Sequence, residues 1–92
     1  KLILVTGAAS GIGAAAAAAI ESQGGRVIRL DREQADRCLP LDVSSEESVN
    51  GMTSAILATE PVHGLVNCAG VGGLGTLDAI SMEHWDHVLD VN

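Results

Sequence analysis

The sequence is poor in basic residues, with five lysines and arginines against twelve aspartates and glutamates and a formal net charge of −7. A chain with this balance and no basic cluster is poorly suited to nucleic acid or to an anionic membrane surface, so we expect neither partner. Long hydrophobic runs are also absent. The longest, residues 12–20, falls well short of the roughly 20 residues that a membrane-spanning helix needs.

Cysteine, proline and aromatic residues are scarce: two cysteines, two prolines, one tryptophan, and no tyrosine or phenylalanine. Cys38 and Cys68 are interpreted as small buried hydrophobic residues of a reduced protein. The chain begins directly in an apolar strand pattern, without the basic and apolar regions of a signal peptide. We therefore expect a cytoplasmic protein, whose 92 residues form one small domain or part of a larger one.

What the chain does have is an apolar strand followed by a glycine-rich turn. Residues 2–6 predict a buried strand, because a parallel strand covered on both faces needs an apolar run. The chain then turns through Gly7, Gly11 and Gly13 and enters a helix. Glycines let the backbone approach an anion, and the free N–H groups of a helix N-terminus point at it. This stretch therefore predicts an anion site.

Strand and helix patterns alternate along the rest of the chain. We predict a first helix that follows Gly13 and extends to about residue 23, and a second that begins with Ser44 as N-cap in a capping box with Glu47. Further strands are predicted at residues 26–30, 38–43 and 64–68. Pro40 cannot donate to a sheet ladder, so the third strand is expected at an edge. The pattern predicts an α/β fold, a Rossmann-type doubly wound parallel sheet of three αβα layers with strand order 3-2-1-4.

Two later helices are predicted from their apolar faces. The second helix has a face formed by Val49, Met52 and Ile56, and we expect it to end at Pro61. A last helix, capped by Ser81, has an expected inward face consisting of Trp85, Val88 and Leu89. Between them lies a glycine-rich loop with Gly70, Gly72, Gly73 and Gly75. No metal site is predicted, since His84 and His87 on the last helix lack a specified third ligand and are interpreted as a solvated face.

Four segments resemble the short-chain dehydrogenase/reductase family. They are residues 6–13 (TGAASGIG), 41–43 (LDV), 67–70 (NCAG) and 85–92 (WDHVLDVN). The glycine spacing G-x-x-x-G-x-G is the pattern of this family, whereas the general dinucleotide fingerprint is G-x-G-x-x-G. The resemblance covers the whole chain and implies the N-terminal part, residues 1–92, of a single NAD(P)-binding Rossmann domain. It also implies a homodimer or homotetramer.

The resemblance implies a role for each matching residue. The turn would hold the cofactor's pyrophosphate and adenine-side ribose, through Gly7, Ser10, Gly11, Ile12 and Gly13. Asp42 would accept from the exocyclic amine of adenine while Val43 packs on the ring; the alternative for Asp42 is a charge at a helix N-terminus. The backbone of Ala69 and Gly70 would lie along the cofactor ribose, and Asn67 would support the sheet.

Asp31 bears on the choice of cofactor. It ends the second strand, near the expected distance of about 20 residues from the glycine turn. A carboxylate there accepts hydrogen bonds from ribose hydroxyls and repels the 2′-phosphate of NADP, so NAD is predicted as the cofactor. Arg32 is the opposing feature, because a guanidinium could stabilise that phosphate or stack on adenine. The alternative for Asp31 is a solvated turn carboxylate.

Asn92 matches the family's catalytic asparagine, which by resemblance holds a water in a proton relay with the lysine of a Tyr-x-x-x-Lys motif. The 92 residues contain no tyrosine, and their one lysine is Lys1, so they do not themselves carry that motif. The resemblance implies an NAD-dependent oxidoreductase that transfers hydride between NAD(H) and a secondary alcohol or ketone, with hydroxysteroids or other carbonyl compounds as candidate substrates. The alternative is a non-catalytic NAD-binding or regulatory module with the same fold.

Overall fold

The computed structural model describes residues 1–72 and 75–92. Within these ranges the elements follow one another as β1 (Leu2–Thr6), α1 (Gly11–Ser22), β2 (Arg26–Asp31), β3 (Cys38–Pro40), α2 (Glu46–Leu57), β4 (Gly64–Asn67) and α3 (Met82–Val91). Gly73 of the predicted glycine-rich loop lies outside the described residues. The first helix begins at Gly11, three residues earlier than predicted, so part of the glycine motif is already helical.

The four strands form one parallel sheet in the order β3-β2-β1-β4. This confirms the predicted Rossmann-type α/β topology. Strand β1 is central and pairs with β2 from Leu2↔Arg26 to Thr6↔Leu30, and with β4 on its other side. Because all strands are parallel, the carboxyl ends of β1, β2 and β4 meet at one edge, where open α/β sheets bind ligands.

Strand β3 lies at the sheet edge, as Pro40 predicted, but it ends at Pro40 rather than at residue 43. Pro40 pairs with Asp31, and the backbone N–H of Leu41 donates to the Asp31 carbonyl (3.0 Å). Beyond this bond the chain leaves the ladder and turns toward α2. The predicted strand was therefore too long, because residues 42–43 belong to the turn.

The core lies on both faces of the sheet. On one face, Leu2, Leu30 and Leu41 pack with Ile56 of α2, and Val49 and Met52 pack against this cluster, as predicted. On the other face, fully buried Val5 packs with Ala8 and with Ala17 of α1. Since side chains of a strand alternate between faces, these two clusters put α1 and α2 on opposite sides of the sheet. None of the helices described here is long and apolar enough to cross a membrane.

Helix α2 begins one residue later than predicted. Its N-cap is Ser45, whose hydroxyl accepts from the Ser48 N–H (3.2 Å), so the prediction of Ser44 was wrong. The hydroxyl of Ser44 instead donates to Asp42. The helix ends at Leu57, four residues before Pro61, so proline does not end it directly.

Helix α3 is capped by Ser81, as predicted, since its hydroxyl accepts from the His84 N–H (3.1 Å). Its predicted inward face was wrong. Trp85 is 43% exposed and Leu89 is 63% exposed, while Val88 is half-buried. The helical spacing of these residues identified an apolar face, but the described part of the chain does not cover it.

Candidate functional site

A cleft of about 570 Å³ opens at the carboxyl edge of the sheet. It lies between the turn after β1, the ends of β2 and β3, and the segment after β4. It brings together all of the predicted cofactor-binding residues except Gly11 and Asn67, namely Gly7, Ser10, Ile12, Gly13, Asp31, Arg32, Asp42, Val43, Ala69 and Gly70. Residues far apart in sequence therefore meet in one place because parallel strands end there.

Two glycines of the turn are required by close backbone packing. Gly7 has φ +66°, and a Cβ there would lie 2.6 Å from the backbone nitrogen of Ala69. A Cβ on Gly13 would lie 2.0 Å from the carbonyl oxygen of Gly7. Gly11 differs, because a Cβ there would meet nothing within 4 Å, and its φ of +58° is what favours glycine. The turn is thus packed closely against the segment after β4 and against α1, with Gly11 on its open side.

The N-terminus of α1 is left open, unlike those of the other two described helices. Ser10 is its N-cap, yet within the described ranges its hydroxyl makes no cap hydrogen bond, and the first turn of the helix contains no acidic residue. By contrast, α2 and α3 each have a capping serine and glutamate in the first turn. Uncapped N–H groups and the positive helix end attract an anion, an effect of about 0.3–1 kcal/mol at an exposed site.

Thr6 is a structural residue of the site to which the sequence analysis assigned no role of its own. Its hydroxyl oxygen accepts from the backbone N–H groups of Cys68 and Ala69, at 3.2 Å each. Thr6 is buried, so these bonds fix the end of β1 to the segment after β4. A polar residue at the end of an otherwise apolar buried strand was the available signal.

Both carboxylate oxygens of Asp31 accept backbone hydrogen bonds. Oδ2 accepts from the N–H of Ala9 in the glycine turn, and Oδ1 accepts from the N–H of Glu33, each at 2.9 Å. Asp31 therefore fixes the glycine turn to the end of β2. Since each carboxylate oxygen has two lone pairs, each retains capacity for one further donor. Exposed Arg32 lies beside it on the cleft wall.

The Asp42 carboxylate is held by Ser44. Its Oδ1 accepts from the Ser44 hydroxyl (2.6 Å) and from the Ser44 N–H (3.0 Å). These bonds, chiefly that of the hydroxyl, hold the pKa of Asp42 below its ordinary value, and the nearby charges of Arg32 and His87 act in the same direction. Asp42 is therefore a stable carboxylate at neutral pH, on the cleft wall.

Asn92 lies beside the cleft rather than in its lining. Its Nδ2 donates to the Val71 carbonyl (2.8 Å), and its Oδ1 accepts from the Val71 N–H (2.9 Å). The Asn92 amide thus fixes the segment that follows β4. Neighbouring Val91 lines the cleft, as do Val71 and half-buried Cys68. Sequence reasoning assigned no site role to these three residues, although Cys68 and Val91 lie within two of the segments that resemble the family.

The structure does not bring Asn67 to the cleft. Asn67 lines a second, largely apolar groove of about 440 Å³ under α2, together with Leu4, Leu65 and Ile56. Because side chains alternate along β4, a residue next to the cleft in sequence can lie on a different face of the sheet. Within residues 1–72 and 75–92 no group of three or more His, Cys, Asp or Glu side chains is arranged to hold a metal ion.

Comparison with known proteins identifies the family. The family profile described as short chain dehydrogenase matches residues 1–92, the whole chain. The chain belongs to this family, which is an oxidoreductase family. The resemblance found in the sequence motifs is therefore confirmed.

Individual relatives agree with this assignment. D-threitol dehydrogenase of Mycolicibacterium smegmatis is 35% identical over an alignment that covers 100% of this chain and 42% of the relative. The ligand-free structure of Thermoplasma acidophilum aldohexose dehydrogenase is 31% identical, with a TM-score of 0.91 over 99% of this chain and 38% of that one. A 3-alpha-hydroxysteroid dehydrogenase from Pseudomonas sp. B-0831, complexed with NADH, is 40% identical, with a TM-score of 0.67 over 77% of this chain and 31% of that one. The chain thus spans less than half the length of these relatives.

Proposed function

We propose that the cleft binds NAD and that the chain is the cofactor-binding part of a single Rossmann domain in an NAD-dependent oxidoreductase of secondary alcohols and ketones. The observation that carries this proposal is the open N-terminus of α1, which lies in the same cleft as the Asp31 and Asp42 carboxylates. A site that attracts an anion at its centre and carries acceptors on its walls fits a dinucleotide. A free phosphate would not need those two carboxylates.

The residues of the cleft fit the parts of this cofactor. The pyrophosphate would meet the backbone N–H groups in the first turn of α1, from Gly11 to Gly13, and the hydroxyl of Ser10. Ile12, which is 81% exposed at the helix start, offers an apolar surface for the cofactor to cover. The ribose next to the nicotinamide would lie along the backbone of Ala69 and Gly70, and adenine would lie between Asp42 and Val43.

Asp31 supports NAD rather than NADP. Each of its oxygens keeps one lone pair after accepting from the backbone, which matches the two hydroxyls of the adenosine ribose. The 2′-phosphate of NADP would bring a like charge to these oxygens. The 3-alpha-hydroxysteroid dehydrogenase relative was solved with NADH, which agrees with this preference. If NADP bound more tightly than NAD, Arg32 would be the residue that stabilises its 2′-phosphate.

The nicotinamide ring, when bound, would supply the site that accepts or donates hydride. Within this chain, Asn92 is the residue we assign to the reaction, through the water it would hold. Its side-chain amide is occupied by Val71, so this role would fall to its backbone carbonyl. The tyrosine and lysine that the family resemblance implies are not among these 92 residues.

The names of the relatives suggest the substrate class. They refer to threitol, an aldohexose and a hydroxysteroid, all small molecules with hydroxyl groups on carbon. We propose a substrate of this kind, with the secondary alcohol or ketone as the reacting group. The same family resemblance suggests assembly as a homodimer or homotetramer.

The test is an assay of the intact protein with a panel of polyols, sugars and hydroxysteroids, in which NADH formation is followed by its absorbance. We expect activity with NAD that exceeds activity with NADP. Asp31→Ser should reduce or reverse this preference, because it removes the carboxylate, while Arg32→Ala should preserve it. NAD binding without turnover of any alcohol or ketone would favour the non-catalytic module, and tighter binding of NADP would overturn the role of Asp31.

A further inference from the structure

Three serines, two in the turn between β3 and α2 and one in the first turn of α2, have separate hydrogen-bonding roles. The Ser45 hydroxyl caps α2, and the Ser48 hydroxyl accepts from the backbone N–H of Asp42 at 3.0 Å. The Ser44 hydroxyl does neither, and donates instead to the Asp42 carboxylate at 2.6 Å. Ser44 is exposed, so its hydroxyl would be hydrated without this bond.

The two bonds from Ser44 both go to the same oxygen of Asp42. Oδ1 accepts from the hydroxyl and from the N–H, which uses both of its lone pairs. Oδ2 is therefore the oxygen that remains able to accept from a ligand in the cleft. Ser44 therefore determines which oxygen of Asp42 can accept from a ligand in the cleft, and the direction in which that oxygen points.

Two basic residues lie close enough to the Asp42 carboxylate to influence its pKa. Arg32 on the cleft wall and His87 on α3 both exert an attraction on it. Without the hydroxyl of Ser44, only the Ser44 N–H would hold the carboxylate, so its orientation would be less well defined. A short hydrogen bond to an ionised group is among the stronger ones in proteins, which suits it to hold the rotamer.

We propose that Ser44 is a positioning residue that orients the Asp42 carboxylate so that its free oxygen recognises the exocyclic amine of adenine. This inference rests on the proposed function, since it assumes that adenine occupies the Asp42 side of the cleft. It adds a specificity element: the adenine base is selected through a serine that does not itself touch the cofactor.

The test is calorimetric titration of the intact protein with NAD and with nicotinamide hypoxanthine dinucleotide, which carries an oxygen in place of the exocyclic amine. Wild type should bind NAD about tenfold more tightly than the hypoxanthine analogue. Ser44→Ala should weaken NAD binding about fivefold, the effect of one lost hydrogen bond, and leave binding of the analogue nearly unchanged. Ser44→Thr keeps the hydroxyl and should retain the preference for NAD.

Ser45→Ala is the matched control. It removes a serine hydroxyl from the adjacent position and uncaps α2, yet leaves the carboxylate contacts of Asp42 in place. It should lower thermal stability without changing the ratio of the two affinities. Equal weakening of both nucleotides by Ser44→Ala, or the same ratio change in Ser45→Ala, would overturn the positioning role.

The outcomes also separate this inference from the proposed function. Loss of the NAD preference in Asp42→Ala but not in Ser44→Ala would overturn the role of Ser44 and leave the NAD site intact. Absence of any preference in wild type, with NAD still bound, would overturn the roles of Asp42 and Ser44 together. Absence of binding by either nucleotide would overturn the cleft assignment itself.

Discussion

Gly13→Ala is the substitution for which the structure predicts a result opposite to helix propensity. Alanine is favoured over glycine within a helix by about 1 kcal/mol, so propensity alone would make the variant more stable. At Gly13, however, the new Cβ would lie 2.0 Å from the carbonyl oxygen of Gly7 and 2.6 Å from its carbonyl carbon. Both are backbone atoms, so the glycine turn or α1 must move by about 1 Å or more to restore normal contact distances.

The expected magnitude follows from these two opposing effects. Overpacking a well-packed site costs about 1–3 kcal/mol, and a clash with backbone belongs to the upper part of that range. After the gain in helix propensity is subtracted, we expect the free energy of unfolding to fall by about 2 kcal/mol. The same displacement disturbs the N–H groups of the turn, so NAD binding should weaken as well.

Gly51→Ala in α2 is the matched control. Gly51 is exposed, and a Cβ there would meet nothing within 4 Å, so only the propensity effect remains. We expect this variant to gain up to about 1 kcal/mol in stability. Urea unfolding of the intact protein, followed by circular dichroism, measures both changes, and titration with NAD runs in parallel. If Gly13→Ala proves as stable as Gly51→Ala and binds NAD as wild type does, the assigned role of the glycine turn is wrong.

Three further predictions concern individual hydrogen bonds. Thr6→Val removes the hydroxyl acceptor of two half-buried N–H groups, of which that of Cys68 keeps the Thr6 carbonyl. It should cost about 1–2 kcal/mol of unfolding free energy by urea titration, whereas Thr6→Ser should cost less. The pKa of Glu21 in the folded state is lowered by hydrogen bonds to its carboxylate, chiefly the one from Arg29 and to a smaller extent the one from Arg37. These bonds therefore stabilise the fold at pH values above the ordinary glutamate pKa, and this stabilisation is lost as the pH falls through the lowered pKa. The difference in unfolding free energy between wild type and Glu21→Gln should accordingly shrink in acid. Ser81→Ala should lower the free energy of unfolding by about 1 kcal/mol, because it removes the cap of α3. Ser10→Ala should leave the free energy of unfolding nearly unchanged and weaken NAD binding. Equal losses of stability in the two variants would contradict the open N-terminus of α1.

The strands were predictable because their causes are local, and their order followed from the doubly wound pattern that alternating strands and helices indicate. The apolar residues 2–6 specify a strand buried on both faces, and Pro40 specifies an edge. The glycines of the turn follow from the need for close backbone approach, which the structure locates at Gly7 and Gly13. Most of the candidate cleft was predicted for the same reason, since parallel strands bring their carboxyl ends to one edge.

The remaining features depend on contacts that sequence spacing does not specify. The capping-box pattern with Glu47 predicted Ser44 as the cap of α2, but Ser44 donates to Asp42 and the adjacent Ser45 caps the helix instead. The spacing of Trp85 and Leu89 predicts an apolar face without indicating what covers it. Asn67 is adjacent in sequence to the cleft segment, but strand alternation directs it to the groove under α2.

The central claim is that the cleft at the carboxyl edge of the sheet is a dinucleotide site. The most direct measurement is a titration of the isotopically labelled intact protein with NAD, followed through the backbone amide resonances. We predict saturable shifts that concentrate in four segments, residues 7–13, 31–32, 42–44 and 69–71, where the cleft lining lies. Absence of saturable shifts, or shifts that concentrate instead at Leu65 and the other residues of the groove under α2, would contradict the account.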